Sequence, residues 1–83
     1  MPQKIYKIYD NNNKTLDRYT VLLNDPVSEE HNLFNCLSLS DDPDSPQGFS
    51  QFSNCRDDEH LGKLVSFGDL PMNIQVHIWK RLK

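Results

Sequence analysis

The stretch from Leu61 to Lys83 constrains the fold of this chain more than any other. Leu61-Gly62-Lys63-Leu64-Val65-Ser66-Phe67 reads as a strand, Gly68 as a turn, and Met72 to Leu82 as a helix. At about 100° per residue, Leu70, Ile74, Ile78 and Leu82 fall on one stripe, the i, i+4 series of a helix that packs against a sheet. Pro71 suits the first turn, where its missing N–H costs nothing. Asp69 reads as the N-cap or lies just outside it. Lys80, Arg81 and Lys83 complement the negative end of the helix dipole.

Met72, Val76 and Trp79 lie off that stripe on a second apolar arc beside it, leaving Asn73, His77, Lys80 and Arg81 for solvent. Together the arcs span about 200°, wider than one core contact needs. Two explanations compete. In one, the helix sits in a cleft and Phe49 or Phe52 covers the second arc. In the other, Met72, Val76 and Trp79 form an exposed patch that binds a partner protein, a role in which Trp and Met are enriched.

The rest of the chain supplies strands. Gln3 to Tyr9 and Thr15 to Leu23 form an N-terminal hairpin around Asp10-Asn11-Asn12-Asn13-Lys14, because Asn tolerates positive φ and Asp accepts local backbone bonds. The first strand is apolar on both faces, with Ile5 and Tyr9 on one and Tyr6 and Ile8 on the other, so the hairpin is expected to be central or covered. Asn24 to Asn32, with Pro26, reads as a loop. Leu33 to Leu39 reads as a strand with Leu33, Leu37 and Leu39 on one face and Phe34 and Cys36 opposite. Asp41 to Gly48 is rich in turn residues, Phe52 belongs to a short strand or a pinned loop, and Asn54 to His60 reads as an acidic loop. The expected architecture is α+β: one domain over residues 1–83, with an antiparallel sheet of three to five strands and one C-terminal helix on a face.

Eighty-three residues hold one core and no second one. No apolar run approaches the roughly 20 residues of a membrane span, and no signal-peptide h-region follows Met1, so a cytoplasmic protein is expected. Two cysteines, Cys36 and Cys55, are too few for a secreted disulfide scaffold and read as free thiols. With His31, His60 and His77 they lack the paired spacing of a structural zinc site, so no metal or other cofactor is expected.

The net charge of -3 is unevenly placed. Residues 23–59 set nine acids against Arg56 alone, while both ends are mildly basic. Asp41, Asp42, Asp44, Asp57, Asp58 and Glu59 form an acidic surface without the Gly and distal Glu of a calcium loop. Such a surface could also mimic nucleic acid toward a basic groove. Lys7, Arg18 and Tyr19 offer a basic, aromatic patch for single strands, against which the overall negative charge argues. No catalytic constellation stands out.

At Asp17-Arg18-Tyr19-Thr20-Val21, Pro46-Gln47-Gly48-Phe49, Leu61-Gly62-Lys63 and Phe67-Gly68-Asp69-Leu70-Pro71 the chain resembles small uncharacterised proteins of bacteriophages and mobile elements. The resemblance covers roughly residues 15–78. It implies a bacterial cytoplasm and an accessory role, and it assigns no catalytic residue. The expected function is therefore non-enzymatic protein binding through Met72, Val76 and Trp79 with an unidentified protein partner. The alternative is a small protein that binds or mimics nucleic acid.

Overall fold

The structure, a computed structural model, describes residues 4–15, 17–41 and 50–82. Strands β1 (Ile5–Asp10), β2 (Tyr19–Ser28), β3 (Leu33–Leu39), β4 (Ser50–Arg56) and β5 (Lys63–Val65) form one sheet of order β4-β3-β2-β1-β5. Every neighbouring pair is antiparallel. Single 3₁₀ turns at Glu59–Leu61 and Phe67–Asp69 precede β5 and the helix α1 (Met72–Leu82). This is the α+β arrangement expected from the sequence, with the hairpin strands β1 and β2 in the interior of the sheet.

Alternation along the strands divides the apolar residues between two faces. On one face Ile8, Tyr19, Val21, Leu23, Leu37 and Leu39 meet Leu70, Ile74, Ile78 and Leu82, so the i, i+4 stripe of α1 is its core face. On the other face Tyr9, Leu22 and Cys36 form a smaller cluster, against which Phe34, Cys55 and Leu61 pack. The connection from β4 to β5 runs across this second face, because β5 pairs with β1 at the opposite end of the sheet. Asp57 and Leu61 of that connection reach Tyr9 and its cluster.

Several local expectations are corrected. Ile5 pairs with Leu23 and Lys7 with Leu22, so β1 carries a bulge at Tyr6. The extra residue shifts the alternation by one. Ile5 and Ile8 therefore share the helix side, while Tyr6 stacks on Phe34 with ring centroids 5.1 Å apart. Thr15, Asp17 and Arg18 belong to the hairpin loop, since β2 begins at Tyr19. Asn12 and Asn13 take φ of 57° and 65°, the left-handed geometry that their residue type tolerates.

The segment around Pro26 is strand rather than loop. β1 has no residue opposite it, so the missing N–H of Pro26 faces no strand, as at a sheet edge. Irregular pairing with β3 at Pro26 and Ser28 completes the accommodation. β4 extends to Arg56, so Asn54 to Arg56 are strand and not acidic loop. Asp69 caps the 3₁₀ turn instead of α1: its carboxylate accepts the Ser66 N–H at 3.1 Å. The Pro71 carbonyl accepts the first helical bonds, from Ile74 and Gln75, each at 3.0 Å.

Candidate functional site

The buried stripe and a bond to β4 set the rotation of α1 about its axis. Toward β4, the Ser50 Oγ and His77 Nε2 lie 2.7 Å apart, and the Arg81 guanidinium sits 4.7 Å from the centre of the Phe52 ring. Toward the connection, Gln75 Nε2 donates to the Leu70 carbonyl at 2.8 Å. Burial, with the charges of Arg81 and Lys80 added, holds the His77 imidazole below its usual value, which favours the neutral ring. With the core stripe facing the sheet, the second arc faces outward. Met72 is 71% exposed, Val76 43% and Trp79 46%.

These three residues succeed one another at i, i+4 and i+7, so their side chains adjoin on one exposed strip. Phe52 does not cover them; it lies beneath Arg81 at the other flank. Phe49 lies outside the described residues. A groove of about 360 Å³ opens beside the end of α1 between Phe52, Arg81, Leu82 and Leu23. Lys4, Asn24 and Asp25 line it as well, so this groove is of mixed polarity and separate from the strip.

The acidic residues do not act as one surface. Asp57 is corrected most: its side chain is 9% exposed and accepts from Lys7 Nζ at 2.8 Å and from Tyr9 Oη at 2.6 Å. The β4–β5 connection presses it onto the second sheet face, where a lone carboxylate would be costly and a paired one is stable. Asp41 faces Arg18, with Nη1 to Oδ2 at 3.4 Å. Asp58 accepts the His60 backbone N–H at 2.9 Å. Asp42 and Asp44 lie outside the described residues, and Glu59 opens the first 3₁₀ turn.

The basic residues of the hairpin are engaged in the same way. Arg18 grips Asp10 with two bonds, Nε to Oδ1 at 2.8 Å and Nη2 to Oδ2 at 3.1 Å. Lys7 is bound to Asp57. Sequence reasoning placed these charges on solvated faces because pairing at a separation of 50 residues leaves no local signal.

These pairs predict an acid limb of stability. Hydrogen bonding to Arg18 holds the Asp10 carboxyl below its ordinary 3.8. Burial alone would raise Asp57, but Lys7 and Tyr9 outweigh it and leave that carboxyl low as well. A carboxyl lowered by folding contributes stability above its unfolded pKa and loses it as pH falls through the folded one. The midpoint of urea unfolding should therefore be flat near neutrality and fall below about pH 4. Asp57→Asn should lower the neutral midpoint and flatten the acid limb, as read by circular dichroism across that range.

A further pair escaped sequence reasoning altogether. Phe34 pairs with Cys55 and Cys36 with Ser53, which makes Cys36 and Cys55 diagonal neighbours on the sheet face away from α1. Both are free thiols, Cys36 buried and Cys55 half-buried. Cys55 packs against the buried cluster that contains Cys36, and the Ser53 Oγ lies 3.3 Å from the Cys36 Sγ. The Cys55 thiol and the Ser53 and Ser38 hydroxyls favour the Cys36 thiolate and lower its pKa, while the Cys36 sulfur raises that of Cys55.

Among the described residues no three His, Cys, Asp or Glu side chains come together in a cation-binding group. No described helix is long and apolar enough to cross a membrane. Compared with known proteins, the chain matches no family model, no curated protein and no solved structure.

Proposed function

We propose that the protein is a small non-enzymatic accessory protein that binds another protein through Met72, Val76 and Trp79. The observation that carries this reading is the outward strip itself, apolar and exposed on a helix whose opposite face is buried and bonded to β4. An exposed indole buries large apolar area with few torsions to order, and a flexible thioether moulds to irregular surfaces, which is why Trp and Met are enriched at interfaces. Lys80 and Arg81 border the strip, so the partner surface it fits is an apolar pocket with an acidic rim. In keeping with the resemblance to phage and mobile-element proteins, the proposed setting of this role is a bacterial cytoplasm. The nucleic-acid alternative has less support, since Arg18 and Lys7 are already held by carboxylates.

The test begins with Trp79, the single tryptophan of the chain. Its emission should resemble that of a partly hydrated indole and be quenched readily by acrylamide. In bacterial lysate the wild-type protein should retain a partner that Trp79→Ala and Met72→Ala lose, with unfolding midpoints unchanged in both variants. A blue-shifted, quencher-inaccessible Trp79, or equal retention by all three proteins, would overturn the reading.

A further inference from the structure

We propose that Cys36 and Cys55 form a thiol–disulfide exchange site, in which a small-molecule disulfide oxidises the two neighbouring thiols to a reversible intramolecular disulfide. Three observations support it. The thiols are diagonal neighbours on one sheet face, and Cys55 packs against the cluster that contains Cys36. The half-buried Cys55 stands on β4, the sheet's edge strand, and gives an oxidant its entry, while Cys36 is 1% exposed behind it. The Ser53 hydroxyl lies beside the Cys36 sulfur and can stabilise it as a thiolate.

The register also sets the character of the bond. Diagonal neighbours in an antiparallel pair lie about 7–8 Å apart. A relaxed disulfide spans at most about 6.8 Å between Cα atoms. Closure must therefore draw β4 inward, and β4 can respond because, as the edge strand, it has β3 as its one strand neighbour among the described residues. A disulfide closed against such a displacement is easily reduced again, the property of regulatory rather than structural bridges.

The exchange balances in two steps. The Cys55 sulfur attacks one sulfur of the oxidant and expels the other half as a thiolate. The Cys36 thiol, having first lost its own proton to solvent, takes the Cys55 proton as a thiolate while this happens. Cys36 then gives that proton to solvent and attacks the Cys55 sulfur of the mixed disulfide, expelling the second half of the oxidant. With both expelled thiolates protonated, two protein thiols have become one disulfide and one small disulfide has become two thiols. Asp57, held by Lys7 and Tyr9, is the carboxylate that faces Cys55 and opposes a lasting negative charge there.

The experiment treats the full chain with graded mixtures of reduced and oxidised glutathione, quenches with acid and reads intact mass and free thiols. The expected product is a monomer two hydrogens lighter, with no retained glutathione, reverting when the reduced form is in excess. Cys36→Ala should stop at a stable glutathione adduct on Cys55. Cys55→Ala should react roughly tenfold or more slowly, because the remaining thiol is buried. A persistent adduct or a covalent dimer in the wild-type protein would overturn the proposal. So would two thiols that stay unreactive while the protein is folded. The wild-type mass decides the matter even where a variant fails to fold.

Discussion

Replacing Gly62 with alanine is expected to unfold the C-terminal third of the protein at temperatures where the wild type is native. Gly62 has φ of 123°, a region that residues with a side chain rarely enter. A Cβ there would lie 2.7 Å from the Asn11 Cα and closer still to the Asp10 carbonyl oxygen. Neither atom can retreat. Asp10 is paired with Tyr19 on one side and Lys63 on the other, and the Asn11 N–H is bonded to the Arg18 carbonyl at 2.9 Å. Backbone strain alone costs about 1–3 kcal/mol, and the collision adds to it. Against a total of roughly 5 kcal/mol for a small domain, the loss is decisive. The readout is the urea midpoint with near-ultraviolet circular dichroism. Gly68→Ala is the control: nothing lies within 4 Å of the Cβ it would add, so its midpoint should stay near that of the wild type.

Ile78→Ala should produce the second large effect. Ile78 is 0% exposed at the middle of the stripe that α1 lays on the sheet. Deleting its branched end removes buried methyl groups and leaves a cavity, at a cost of about 2–5 kcal/mol. A helix of 11 residues does not persist alone in water, so weakened docking is felt as helix loss. Amide exchange in α1 should accelerate before that in β2 and β3. Val76→Ala, two residues away on the exposed strip, should shift the midpoint by no more than about 0.5 kcal/mol. Equal losses in the two variants would contradict the facing of the helix described above.

The difference between Val76 and Ile78 was legible in the sequence because helical periodicity is a local property. The same holds for β3, whose alternation survives one polar interruption, and for the Asn residues that turn the first hairpin. The Tyr6 bulge was not legible, since a bulge exists only relative to the strand beside it. Pro26 was misread for a related reason: proline argues against a strand, unless the neighbouring strand has already ended. Asp57 looked like one acid among several until the β4–β5 connection laid it against Lys7 and Tyr9. Cys36 and Cys55 become neighbours only once the register of β3 and β4 is set. The exposed strip of α1 was visible as an arc of excess apolar residues, whereas its exposure depended on where Phe52 lies.

The passage from β4 across the sheet to β5 has a consequence for the order in which the protein can form. The first four strands are joined by successive hairpins, whose pairings close short loops at low entropic cost. The contact of Lys7 with Asp57 closes 50 residues, and β5 must cover the same distance to reach β1. During synthesis the meander can therefore assemble while the outer edge of β1, with its tyrosines and isoleucines, still lacks a neighbour. That edge is a template for pairing with another chain until the last strand arrives. The closing strand thus guards the newborn protein against self-association during the interval when it is most vulnerable.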